Sequence, residues 1–353
     1  MRSFSQFLQD YNSRNLNEEL TENIFESVVN IDFSEETESN LKHLSHIVLI
    51  GEKRYRSMRK QAIKLSYADP TKLEYTIKNG KIKVDDGEYK FSLSEADKEN
   101  TIVLVRSGYK NQTISYLLNE IENLGITVLN NPQRVSISNN KYLTAMLFDK
   151  CGINQPKYTI VSKRDISKDD HSKLDEKLKT IYKDANDDSK YVCKILNGHG
   201  GKGVFICKGS NILSILQALF AINNETEVIV QECLKIKDGD VRVNVLTLNG
   251  KQTIMDVKMR TKDTADFRTN LSLGNSVKEF ELTKQQEELV LKAAKASGLI
   301  WAGVDLLPLE NGKNVIIEIN GAPGTTVEIN TDDMEEANFE FFKKFIEHIN
   351  SLC

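Results

Sequence analysis

GVDLLPLENGKNVIIEING, residues 303–321, holds two apolar runs around the turn ENGKN (310–314). Each run is strand-like, and the turn brings them back to back as a hairpin. Asp305 interrupts the first run, and Glu318 and Asn320 interrupt the second. Alternation along a strand places Glu318 and Asn320 on one face. Two carboxylates and an amide oxygen among apolar neighbours are costly unless a cation neutralises them. All-oxygen ligation suits Mg²⁺ shared with nucleotide phosphates, or Mn²⁺ in its place.

Upstream, Lys194 precedes NGHGGKGV (197–204), with Gly198, Gly200, Gly201 and Gly203 between two strand-like segments. Such a hairpin lets backbone N–H groups approach phosphates closely, and Lys194 adds a point charge. The spacing is neither a Walker A loop nor a dinucleotide-binding turn. VIVQECLKIKDGDVRV (228–243) then runs from a strand ending at Gln231 and Glu232 through Cys233 and a polar linker to Asp240 and Arg242. That linker suits an adenine edge, with an acid for a ribose hydroxyl. Lys258, Arg260, Arg268 and Asn270 follow, the last two within DFRTNLSLGNS (266–276). On their own these cations would be a solvated face; beside a metal site they suit developing phosphoryl charge.

Further out, IVLI (47–50), IVLVR (102–106) and ITVL (126–129) read as buried strands. Between the last two, TISYLLNEIENLG (113–125) is amphipathic and stops at Gly125, which makes a βαβ unit and a small parallel sheet. The stretch 70–100 reads as a polar hairpin. Helices are predicted over 138–152, 283–297 and 333–350. Residues 1–44 carry a net charge of −6, with apolar residues at helical spacing, and read as an acidic helical extension.

With 353 residues, 39% of them hydrophobic, the chain has enough core for two or three α/β domains. A net charge of −4 gives no reason to expect nucleic acid as a partner. No run approaches the length of a membrane span, and no signal-peptide core opens the chain, so a cytoplasmic location is expected. Five cysteines without CxxC spacing read as thiols in a reducing compartment.

In this order the pieces resemble the ATP-grasp superfamily, most closely its RimK-type branch of ribosomal-protein glutamate ligases. The resemblance runs from about Ile47 to Glu328. It rests on VRSG (105–108), GITVLNNP (125–132), Lys141 in NNKYLT, GINQP (152–156), KILNGHGGKGV, VIVQE, DVR (240–242), FRTN (267–270), AGVDLL and IIEINGAPG (316–324). It implies an α/β (α+β) ATP-grasp fold: after the 1–44 extension, a parallel-sheet pre-ATP domain (45–136), then two α+β subdomains clamping ATP. The central one (137–215) would hold the glycine-rich lid and the C-terminal one (216–353) the metal.

By the same resemblance Lys141 and Lys194 contact ATP, and the 198–203 loop closes over its phosphates. Glu232 and Cys233 line the adenine hinge, and Asp240 meets the ribose. Arg268 and Asn270 lie near the γ-phosphate, and Asp305, Glu318 and Asn320 hold Mg²⁺. The activity implied is ATP-dependent joining of a carboxylate to an amine through an acyl phosphate, with an amino acid, peptide or protein as substrate. Homo-oligomerisation stays open, and the alternative on this fold is a phosphotransferase acting on a hydroxyl. After FRTNL the branch usually continues with a histidine and paired glycines, where this chain has SLGN (272–275). That departure bears on the acceptor.

Overall fold

The computed structural model describes residues 39–51, 63–109, 111–166, 170–198, 201–223, 227–261, 276–324 and 334–353. They build three layers of sheet and helix, plus a small satellite sheet.

Strands β1 (His46–Ile50) and β2 (Lys64–Ala68) pair in parallel. The chain then forms an antiparallel three-stranded sheet from β3 (Glu74–Lys78), β4 (Lys81–Asp85) and β5 (Lys90–Ser94). It returns as β6 (Thr101–Val105) and β7 (Thr127–Leu129), completing a parallel sheet in the order β2-β1-β6-β7. Every side chain of β1 and β6 is buried, as expected of parallel strands covered on both faces. The helix Gln112–Asn123 supplies Ile114, Leu117, Leu118 and Ile121 to one face, after an N-cap in which Asn111 accepts from Thr113 N–H. The stretch read as a polar hairpin is thus three strands. Their alternation is real but sparse: only Ile82, Val84 and Leu93 are fully buried, joining the core under the parallel sheet.

The second sheet contains β8 (Tyr158–Ser162), β9 (Lys190–Ile195), β10 (Val204–Lys208) and β11 (Glu227–Glu232), antiparallel in the order β10-β9-β11-β8. Helices Ser172–Ile181 and Ile212–Asn223 fill its core with Leu174, Leu178, Leu216 and Phe220. This sheet runs to Glu232. The division expected at 215/216 therefore falls inside the helix that packs on it, because β11 pairs with both β9 and β8. Cys193 and Cys207 are buried here, while Cys151, Cys233 and Cys353 are half-buried, all as free thiols.

The third sheet is antiparallel in the order β14-β13-β12-β15-β16, from β12 (Gly239–Leu248), β13 (Lys251–Thr261), β14 (Val277–Glu279), β15 (Trp301–Pro308) and β16 (Asn314–Asn320). Val241, Val243, Val245, Ala302, Val304 and Ile319 turn one face toward the helix Lys284–Ser297. That helix opens on a Thr283/Gln286 capping box and closes at Gly298 with φ +63°. The helix Met334–Leu352 ends the chain, packing Phe342, Phe345 and Ile349 on Trp301 and on β1 and β6. Among the described residues no helix is long and apolar enough to cross a membrane.

Candidate active site

The other face of the third sheet is apolar around Leu246 and Trp301 and polar toward the start of β12. In register across it lie Glu279 (β14), Lys258 (β13), Arg242 (β12), Asp305 (β15) and Glu318 (β16), one residue per strand. Two residues along β12, Asp240 faces Arg260. Directly opposed residues of an antiparallel pair point the same way, so this is one continuous charged row.

Arg242 grips Asp305 bidentately through Nε and Nη2, the latter at 2.9 Å. Arg260 Nη2 reaches Asp305 Oδ2 at 3.1 Å and also pairs with Asp240. Burial pushes the Asp305 carboxyl up, but Arg242 and Arg260 outweigh it and hold the pKa below the ordinary value. Burial likewise opposes the Arg260 charge, and Asp305 and Asp240 overcome it, so that pKa rises. Lys258 is anchored by Glu279, with Asp256 at 3.7 Å. Gly303 makes room for this arrangement: a Cβ there would stand 2.5 Å from Pro323 and 3.4 Å from the Arg242 stem.

The donor set for a metal converges as the hairpin reading requires. Asp305 and Glu318 are opposed across β15 and β16, and Asn320 is opposed to Gly303 in the next same-facing row. With its amide oriented to satisfy both ends, Asn320 donates to Glu318 Oε1 (3.3 Å) and accepts from Arg242 Nη2 (3.1 Å). Two carboxylates and an amide oxygen in one cluster fit Mg²⁺ or Mn²⁺, which take oxygen ligands. The two guanidiniums occupy Asp305 Oδ2 from both sides, while Oδ1 accepts from Arg242 Nε alone and keeps a further lone pair.

Beside this cluster a small cavity is lined by Lys141, Lys194, Gln231, Gln155 and Glu318. It lies where β9, β11 and β16 meet the helix Lys141–Lys150. Burial lowers Lys194 to about 8, Glu318 and Asp305 pull it back, and Lys141 reinforces the fall. Lys141 Nζ donates to Gly198 O at 2.6 Å, tying the pocket wall to the start of the glycine-rich hairpin. Gly201 and Gly203 sit at φ +72° and +70°, which favours glycine. Phosphates entering here would meet two ammonium groups and an open backbone.

The expected hinge is tied back to the scaffold. Glu232 Oε1 accepts from Lys157 N–H (2.8 Å), and the Cys233 N–H donates to Tyr182 Oη (3.0 Å) and Lys190 O (3.3 Å). Gln231, by contrast, is buried and lines the cavity. Asp240, expected at the ribose, is 1% exposed and pairs with Arg260 through Oδ2. As the second residue of a buried central strand it belongs to the ion-pair row. Arg260 and Lys258 belong to that row too, while Gly200, Arg268 and Asn270 lie outside the described residues.

Sequence reading named Arg242 without a role; it is the residue that joins Asp305 to Asn320. Its signal was the two-residue spacing from Asp240, which puts both on one strand face. Arg106, just past β6, was quoted within IVLVR and VRSG without a role of its own. It donates to Pro323 O at 2.5 Å and stacks 4.6 Å from the Trp301 ring centre.

Residues 138–340 match the family described as the RimK-like ATP-grasp domain. A probable alpha-L-glutamate ligase of Vibrio atlanticus is 28% identical over 232 residues, covering 65% of this chain and 71% of the relative. One from Parasynechococcus marenigrum is 30% identical over 209 residues, covering 58% of this chain and 40% of its own length. Among solved structures, D-alanyl-alanine synthetase A from Vibrio cholerae superposes with a TM-score of 0.57 at 14% identity, over 88% of this chain and 99% of that one. The ATP-grasp ligase PsnB, complexed with a phosphomimetic variant of its minimal precursor, Mg and ADP, gives 0.58 at 17%, over 86% and 99%. At such identities these two likenesses speak for the fold. The family match takes in the cavity lysines, the glycine-rich hairpin and the whole charged row, and the chain belongs to the RimK-like ATP-grasp family.

Proposed function

We propose that this ATP-dependent carboxylate–amine ligase joins an amino acid to a peptide or protein through an acyl phosphate. The observation that carries the reading is the junction itself. Half-buried Lys194 and Glu318 line one cavity, and Glu318 is opposed to Asp305 across the hairpin. Relatives named glutamate ligases support glutamate as the amino acid.

In this reading Lys194 and Lys141 draw the ATP phosphates into the cavity, and the 198–203 hairpin covers them. Asp305, Glu318 and Asn320 would hold Mg²⁺, which supplies charge neutralisation along the transferring phosphoryl group. Arg242 and Arg260 keep Asp305 ionised and fixed as charge moves past it. The γ-phosphoryl group passes to the substrate carboxylate and ADP leaves. An amine then attacks the acyl carbon, and phosphate departs as the amide forms. Positioning and electrostatics do the catalysis, with no protein nucleophile.

A phosphotransferase would need a free base beside its hydroxyl. On this face Asp305 is held by two guanidiniums and Asp240 is buried against Arg260. Hydroxylamine discriminates the two chemistries. With the carboxylate substrate, ATP and Mg²⁺ present, it should intercept the mixed anhydride as a hydroxamate, with ADP and phosphate in equal amounts. A stable phosphorylated product without released phosphate refutes the ligase reading.

A further inference from the structure

Asn130 directly follows β7 and is 2% exposed. Its side-chain amide donates to Trp301 O and to Gly321 O, each at 2.6 Å, and its Oδ1 accepts from Trp301 N–H at 2.8 Å. Its own N–H donates to Tyr109 Oη (2.9 Å), whose hydroxyl donates back to the Asn130 carbonyl (3.2 Å). Both amide protons and both backbone groups are thus committed.

The carbonyls that Asn130 holds belong to different strands. Trp301 opens β15, four residues before Asp305, and Gly321 follows Asn320, the last residue of β16. Between β15 and β16 the ladder shifts register just after Asp305. On the near side of that shift only three pairs remain: Asp305 with Glu318, Val304 with Ile319 and Gly303 with Asn320. These pairs carry all three oxygen donors. The shift uncouples them from the rest of the hairpin, and at their other end Asn130 bridges the strands where β16 stops. Gly321 is confined from behind as well, since a Cβ there would stand 2.8 Å from Ser138 Oγ.

We propose that Asn130 is a positioning residue of the metal–phosphate centre. It sets the offset of Asp305 against Asn320 by clamping the two strand ends, without touching nucleotide or metal. This rests on the reading of the donor cluster given above. A residue that orients metal ligands from behind typically changes metal affinity by about 10–100-fold when removed.

The test is calorimetric titration of ADP into the full chain, in EDTA and then across a series of Mg²⁺ concentrations, with thermal melts alongside. Asn130→Ala should raise the Mg²⁺ concentration for half-maximal tightening of ADP by about tenfold. Its ADP affinity in EDTA should stay at the wild-type value. A lower melting point with an unchanged Mg²⁺ midpoint would make Asn130 a plain fastener of the fold and overturn the proposal. Should Asn130→Ala fail to fold, Tyr109→Phe keeps the ring and removes only the hydroxyl holding Asn130. It should shift the midpoint a few-fold in the same direction, and no shift again overturns the proposal. Wild-type protein whose ADP affinity ignores Mg²⁺ would refute the metal reading itself, and that is seen before any variant is made.

Discussion

Replacing Lys194 by Met should strengthen the empty protein while weakening its hold on nucleotide. Lys194 falls from 10.5 to about 8, chiefly through burial. The unfolded chain therefore binds more protons than the folded one between about pH 8 and 10.5, and stability rises with pH through that window. Below pH 8 the penalty is fully present. At about 1.4 kcal/mol per pH unit it amounts to about 3 kcal/mol as an upper bound. Lys194→Met keeps the stem's packing and removes the charge, so urea melts at pH 7 should show a gain of about 1–3 kcal/mol that fades toward pH 10. Affinity for ADP or ATP should fall tenfold or more, since a charge-assisted contact contributes about 1.5–3 kcal/mol. In the wild type, raising the pH from 7 to 9 should itself weaken binding, as the charged fraction drops from about 0.9 to about 0.1 for a group near pH 8. A Met variant less stable than wild type at pH 7, or one whose advantage ignores pH, would show that Lys194 is not a strained buried charge.

Three further outcomes are expected. Glu318→Ala should abolish turnover yet leave nucleotide binding in EDTA intact, because Lys141 and Lys194 remain in the cavity to hold the phosphates without the metal; loss of EDTA-state binding in titration would contradict this. Gly203→Ala should reduce activity and lower stability by about 1 kcal/mol or more, since φ is +70° and a Cβ would sit 2.5 Å from Ile195; an unchanged melt and unchanged rate would argue against it. His46, lowered by burial to about 4, binds its proton later in the folded than in the unfolded chain, so stability should fall as pH drops from 6.5 toward 4. His46→Gln should flatten that acid limb in a pH series of melts, and an identical slope would exclude His46 as its source.

What could be read from sequence was what alternation and turns encode locally. Asp305, Glu318 and Asn320 lie on two strands joined by one short turn, so their meeting follows from chain order and a period of two. Lys194 and its hairpin are local in the same sense. The ion pairs of Arg242 and Asp240 escaped because they depend on which strand lies beside β12. β15, about sixty residues further on, brings Asp305 next to Arg242, and no periodicity announces that neighbour. The Asp240–Arg260 pairing was hidden for the same reason, since it appears only when β13 places Arg260 opposite Asp240. The satellite sheet was missed because so few of its residues are fully buried.

The charged row crosses β12, which is paired along its length with β13 and, over Val241–Leu246, with β15, whereas the glycine-rich hairpin ends in β10, an edge strand. Amide hydrogens of a doubly paired central strand exchange only when the whole sheet comes apart, while an edge hairpin can open alone. The Asp240, Arg242, Arg260 and Asp305 cluster, carried on the inner strands β12, β13 and β15, therefore survives as long as this sheet does. Motion that admits and releases nucleotide is confined to the rim, so exchange of bound ligand and loss of the chemical machinery proceed on separate clocks.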